Sequence, residues 1–249
     1  MRKLIAAILV AGAAVMGGSA VAADFPLYPP VIEIPDVNYG VQGSFYLRGS
    51  GAWNTIWSKE VSGYDCTPGC GGTVQRFDWP LAQLGYGYSV GAGFGYETGT
   101  GLRFDATLDY VSNSGATVEK TAVVAIPGKY SVNLRSTLAL ANVYYDFAFS
   151  DYGYGAAGGA FGYVGAGAGV AVNHVSVDAP FAIPSGGNTS LAAAAMVGVG
   201  YDFGAVVADL GYRAVYINHI NNGATGDTKV WADNAWLHEV RGTLRYRFN

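Results

Sequence analysis

After the first two dozen positions, the chain contains no run of 18 or more uninterrupted apolar residues. It is nevertheless 51% hydrophobic and only 13% charged, against about 25% charged for an ordinary soluble domain. A helix that crosses a bilayer needs roughly 20 apolar residues in succession, so helical spans are excluded. The remaining way to satisfy every backbone amide in lipid is a closed β-barrel, whose strands alternate in polarity and never build long apolar runs. The 37 glycines and 18 tyrosines fit that architecture. A formal net charge of −4 with a pI near 5.2 leaves no basic face, and nucleic acid is excluded as a partner.

The first segment reads as a secretory signal peptide over residues 1–22. Arg2 and Lys3 precede the apolar run Leu4 to Met16, and Ser19-Ala20-Val21-Ala22-Ala23 closes it with small residues. Cleavage after Ala22 or Ala23 is expected; an uncleaved anchor helix is the other reading, against which the short run rich in Ala and Gly argues. Residues 23–42 then form a periplasmic lead-in, where Pro26, Pro29, Pro30 and Pro35 rule out helix and sheet strand. A proline-rich ligand for a partner is the alternative there. Cys66 and Cys70, the only cysteines, stand in DCTPGC. In an oxidising compartment they are expected to close a small disulfide ring, with free thiols as the alternative, and two lone cysteines do not complete a zinc site.

Residues 43–249 read at period two as eight strands: about 43–53, 84–97, 101–111, 131–147, 159–173, 189–203, 205–218 and 236–248. In the third, Leu102, Phe104, Ala106, Leu108 and Tyr110 share one face and Arg103, Asp105, Thr107 and Asp109 the other. In the last, Val240, Gly242, Leu244, Tyr246 and Phe248 oppose Glu239, Arg241, Thr243, Arg245 and Arg247. A soluble sandwich alternates as well. The connectors separate the two, since they alternate long and short and aromatics gather near strand ends, as in outer-membrane barrels. Pro68, Pro80, Pro127, Pro180 and Pro184 all fall in the long connectors. The expected fold is therefore all-β, an eight-stranded antiparallel transmembrane barrel with four long external loops and short periplasmic turns. The fourth strand changes its apolar face between Leu134, Leu138, Leu140 and Val143, Tyr145, Phe147. It carries either a bulge or an unexpectedly apolar inward half. Glycines of the fifth and sixth strands are expected to make room inside a narrow barrel for long neighbours.

Few motifs suggest chemistry. GYGAAG at Gly153 to Gly158 matches a dinucleotide fingerprint in letters, but a strand rather than a helix follows it. Asn188-Thr189-Ser190 has the letters of a glycosylation sequon and reads as loop composition. His174-x-Ser176 is similar to the pair that eight-stranded outer-membrane lipid deacylases carry on their outer wall. Such a triad needs a carboxylate to orient the histidine, position 188 is Asn, and Asp178 lies only two residues past the serine. His219 and His238 lie near external strand ends, where haem ligation is a minor reading. No cofactor, metal site or catalytic group is expected.

The lumen charges are the best chemical signal. Arg48, Arg103, Arg213, Arg241, Arg245 and Arg247 share inward parity with Glu97, Asp105, Asp109, Asp202, Asp209 and Glu239. Unpaired charge in so small a space is costly, so the signs should interlock. Eight strands enclose only enough room for side chains, which makes a plugged core the first reading and a narrow charge-lined pore the second.

Several segments together resemble a known family: ADFP at Ala23 to Pro26, GSFYLRGSGAW at Gly43 to Trp53, ANVYYDF at Ala141 to Phe147, YVGAGAGVA at Tyr163 to Ala171, GVGYDF at Gly198 to Phe203, and LRYRF at Leu244 to Phe248. The chain resembles the small outer-membrane β-barrels of α-proteobacteria, the porin-family or opacity-type surface antigens of Gram-negative cells, over essentially its whole mature length. The resemblance implies a non-enzymatic surface protein that stabilises the outer membrane and displays its loops. Porin activity is the alternative and haem binding or adhesion the third reading. Implied partners are outer-membrane lipid and lipopolysaccharide, the barrel assembly machinery during insertion, and a host or environmental ligand at the loops.

Overall fold

The computed structural model describes residues 43–59, 61–65, 75–120, 128–149, 159–178, 183–225 and 228–248. The segments read as a signal peptide and a lead-in, Cys66, Cys70 and the 153–158 glycine motif lie outside the described residues. The described residues form eleven strands in chain order: β1 (Ser44–Trp57), β2 (Val61–Asp65), β3 (Gln75–Trp79), β4 (Leu81–Gln83), β5 (Gly85–Glu97), β6 (Leu102–Lys120), β7 (Gly128–Ala148), β8 (Gly159–Asp178), β9 (Gly186–Asp202), β10 (Val206–Asn221) and β11 (Val230–Phe248).

Eight of these close a ring in the order β1-β5-β6-β7-β8-β9-β10-β11, every neighbour antiparallel. The ring shuts because β11 returns to β1, from Phe45↔Phe248 to Trp57↔Trp236. Closure leaves the eight ring strands without an open edge, which is the condition lipid imposes. At one end, the turn end, the connectors include the tight Phe203–Ala205 link. There Gly204 adopts φ +94°, a conformation strained for any side chain, and its N–H donates to Asp202 Oδ1 at 2.7 Å. The longest connector, residues 58–84 between β1 and β5, lies at the opposite, loop end.

The strands run further at the loop end than polarity alternation suggests. β6 continues to Lys120, β8 to Asp178, and β11 begins at Val230. Beyond a lipid-facing belt the outer wall is free to be polar, so alternation fades while the ladder hydrogen bonds persist. The first long connector holds β2, β3 and β4: β2 pairs with the start of β11 through Gly63↔Val230, β3 pairs with β2, and β4 with β6. A small apolar cluster of Val61, Trp79, Val118 and Tyr130 holds this extension together.

The fourth barrel strand, β7, carries no bulge. Its register to β8 is unbroken from Ser131↔Asp178 to Ala148↔Phe161. Leu134, Leu138 and Leu140 face inward beside Ser136, Asn142, Tyr144 and Asp146, whereas Val143, Tyr145 and Phe147 face out. The irregularity sits in β6 instead, between Asn113 and Ala116, where Gly115 adopts φ +81°. The inward leucines belong to an apolar half of the lumen near the loop end, with Val111, Val175, Val215, Ile217 and Leu237.

Candidate functional site

Toward the turn end the lumen is filled by charge. The period-two pattern of β6 and β11 aims Arg103, Asp105 and Asp109 from one wall and Glu239, Arg241, Arg245 and Arg247 from another. Uppermost is a layer of two acids and two bases. Arg213 donates to Asp109 at 2.7 Å and to Glu239 at 2.5 Å, and Arg241 donates to Asp109 at 2.7 Å and to Glu239 at 3.0 Å. The Ser89 hydroxyl also donates to Glu239 at 2.5 Å, and Asn54 and Asn113 extend this bonding upward.

Below it, Asp105 accepts from Arg48 at 2.7 Å, Tyr46 at 2.9 Å and Asn142 at 2.8 Å. Arg48 also donates to the Tyr144 hydroxyl at 2.8 Å. Arg103 grips Asp146 with two bonds of 2.9 Å, and its guanidinium lies 4.1 Å from the Tyr144 ring centroid. Such forked pairs fix geometry as well as charge. Arg245 lies among Glu97 at 3.5 Å, Asp209 at 3.6 Å and Asp146 at 3.8 Å. Arg247 closes the turn end against Glu97 and Asp202.

Aromatic side chains fill the remaining width by lying over glycines of the next strand. A Cβ on Gly165 would fall 2.4 Å from the Tyr144 ring, and one on Gly198 would fall 2.6 Å from that of Tyr163. The glycines of β8 and β9 therefore make the room that the composition implied.

All twelve charges assigned to the lumen from the sequence converge there. One member was missed, Asp146, the forked partner of Arg103. Its signal was its even-numbered parity with Ser136, Asn142 and Tyr144 on β7, masked by the leucines of the same face. Among the described residues the lumen thus holds six guanidiniums against seven carboxylates, one charge from neutrality. A fully buried set of charges survives only when so matched, since an unpaired one costs several kcal/mol. Some guanidinium nitrogens still lack a hydrogen-bond partner, Arg213 Nη2 and Arg245 Nη2 among them. Five donors on each planar fork exceed what the facing carboxylates can accept.

The outer wall is the inverse of the lumen. Trp53 is 79% exposed, Leu191 70% and Leu244 61%, and large apolar side chains project from all eight ring strands. Water-soluble monomers rarely expose an apolar patch beyond a few hundred Å²; here it encircles the barrel.

The histidines do not converge. His174 and Ser176 both lie on the outer wall of β8, but Asp178 is engaged by Asn133 at 2.9 Å, and Asn188 bonds the β10 backbone. His219 faces Asp233 at 2.5 Å, and His238 meets the Tyr212 hydroxyl at 2.5 Å between the Tyr212 and Trp236 rings. Among the described residues, no group of three potential metal ligands occurs.

A closed antiparallel barrel that is charged within and apolar around its whole circumference is built to span a membrane. No protein-family model and no curated protein matches the chain. Solved structures similar to it include Neisserial surface protein A, at 21% identity and a TM-score of 0.48, covering 82% of this chain and 97% of that one. The outer membrane protein OprG from Pseudomonas aeruginosa is similar at 15% identity and a TM-score of 0.47, covering 83% and 97%. The attachment invasion locus protein Ail of Yersinia pestis is similar at 13% identity and a TM-score of 0.40, covering 83% and 99%. The barrel assignment stands on the strand pairing of this chain itself.

Proposed function

We propose that this protein is a non-enzymatic barrel of the bacterial outer membrane that stiffens the lipid layer and displays its loop end to the surroundings. The signal-like first segment supports export, and the apolar wall supports residence in lipid. The observation that carries the structural role is the neutralised lumen, where guanidiniums and carboxylates from opposite walls bond to one another. The groups that would line a pore are thereby spent on each other. The porin-family and surface-antigen identity belongs to this same proposal, as does contact with lipopolysaccharide.

The orientation is testable because Lys59, Lys120, Lys129 and Lys229 all lie at the loop end, and the only other lysine, Lys3, belongs to the first segment. In intact cells expressing the chain with its own leader, a membrane-impermeant amine reagent should modify these lysines, read by mass spectrometry of the outer-membrane fraction. Modification only after the cells are permeabilised would contradict the proposal.

A further inference from the structure

Among the described residues, one arginine of the outer wall has no counter-ion. Arg135 of β7 is exposed, has no carboxylate partner among the described residues, and stands directly opposite His174 of β8. On β9 the residue opposite His174 is Gly187, which offers no side chain to cover the imidazole. The result is a groove of about 660 Å³ across β7, β8 and β9, bordered by Tyr110, Arg135, Thr137, His174 and Thr189. The volume falls within the range of small-molecule sites, roughly 300–1,000 Å³. The nearest acid on this face, Asp178, lies four residues further along β8 and is held by Asn133.

The height of the groove indicates what meets it. Below Arg135 the outward residues of β7 are Thr137, Ala139, Ala141, Val143 and Tyr145, and above it Asn133 and Ser131. The outer face of β8 changes in the same way, from Val170 and Val172 to His174, Ser176 and Asp178, and that of β6 from Leu108 and Tyr110 to Ser112 and Ser114. From Tyr145 to Arg135 a strand at ordinary tilt climbs about 25 Å, the height of the apolar band of such barrels. Arg135 and His174 therefore sit where acyl chains end and headgroups begin.

We propose that this groove binds the phosphorylated headgroup of an outer-leaflet lipid. The Arg135 guanidinium and His174 imidazole take the phosphate, the Thr137 and Thr189 hydroxyls add neutral bonds, and the acyl chains run down the wall over Tyr110 and Val172. A guanidinium matches phosphate oxygens in charge and in fork geometry. The inference rests on the outer-membrane reading above.

The full mature chain, folded in phosphatidylcholine nanodiscs doped with bis-phosphorylated lipid A, tests it by native mass spectrometry of the lipid retained. The wild type should retain lipid A and not its dephosphorylated form. The double variant Arg135→Ala/His174→Ala should lose about tenfold in retention, as removal of charge-assisted bonds implies, while Arg76→Ala, a guanidinium paired with Asp78 away from the groove, should lose none. Equal retention by the double variant, or equal retention of dephosphorylated lipid, would overturn the proposal. Displacement of lipid A from the wild type by millimolar inorganic phosphate would overturn it in favour of a free-anion site. Heat-modifiable gel migration of the same samples keeps the two readings apart. A wild type that never folds in lipid contradicts the membrane barrel, whereas a folded one without phosphate preference contradicts the groove alone.

Discussion

Arg213 on β10 donates to Asp109 on β6 at 2.7 Å, and these two strands stand diametrically opposite in the eight-stranded ring. The bond therefore crosses the full width of the lumen. Arg241, three strands from Asp109, donates to it as well, so a single carboxylate ties together walls that share no ladder hydrogen bond. Arg245 and Asp146, 3.8 Å apart on β11 and β7, repeat the diametric relation nearer the turn end.

Replacing Asp109 with Ala leaves Arg213 and Arg241 to share Glu239 as their only carboxylate. The predicted cost is about 3–5 kcal/mol, the usual consequence of stranding a buried charge. Urea titration of the heat-modifiable band should show it. Asp109→Ala/Arg213→Ala should be less destabilised than the sum of the two single variants, because the double change removes the stranded partner along with its acid. Additive losses would show that the two residues do not act as a pair.

Packing of aromatics on glycine gives a second test. Gly165→Ala places a methyl within 2.4 Å of the Tyr144 ring, which must then leave its position between Arg48 and Arg103. A loss of about 1–3 kcal/mol is predicted, typical of overpacking. With Tyr144→Ala as background, the same glycine change should cost almost nothing more. An undiminished cost in that background would assign the glycine to backbone conformation instead.

The extension at the loop end should be separable from the barrel. Trp79 is buried against Val61, Val118 and Tyr130, so Trp79→Ala opens a cavity worth about 3–5 kcal/mol locally. Trypsin should then cut at Arg76 much faster while the unfolding midpoint of the barrel stays unchanged. A midpoint that falls with it would make the extension part of the barrel's cooperative unit.

The same hairpin should respond to acid. The Ser62 hydroxyl, donating to Asp78 at 2.5 Å, and the neighbouring Arg76 hold the Asp78 carboxyl below the usual carboxylate range. A depressed pKa means that the stabilisation is complete above the ordinary value of about 3.9 and fades as pH falls through the lowered one. Amide exchange across β2 and β3, corrected for intrinsic rates, should be constant between neutral pH and about pH 5 and quicken below about pH 4. Asp78→Asn should abolish that acid step; an unaltered step in the variant would contradict the assignment.

Much of the barrel was legible from alternation alone, because in a thin-walled barrel the polarity of each residue reports which wall it faces. Arg103, Asp105 and Asp109 on β6 and Glu239, Arg241 and Arg245 on β11 take the inward face that their parity indicates. Asp146 was missed, because β7 carries apolar residues on both faces. Its leucines serve the apolar half of the lumen and Val143, Tyr145 and Phe147 the lipid, so parity gave no single answer. The outer stretches of β6 and β8 were also missed. Once a strand rises above the lipid belt, ladder bonding persists without alternation, and Ser112 through Lys120 then carry the composition of a loop. Pairings across the diameter, such as Arg213 with Asp109, depend on ring closure and strand register, which no local pattern encodes.

The central claim is that these pairings close the lumen. The most direct measurement is single-channel recording of the barrel, residues 43–249, in a planar bilayer, on protein whose fold is confirmed by heat-modifiable migration. The account predicts a silent membrane for the wild type and conductance steps for Asp109→Ala/Arg213→Ala, where the diametric bond is gone. Reproducible, charge-selective steps from the wild type itself, altered by Arg241→Ala or Arg245→Ala, would contradict it and make the interior arginines the lining of a pore.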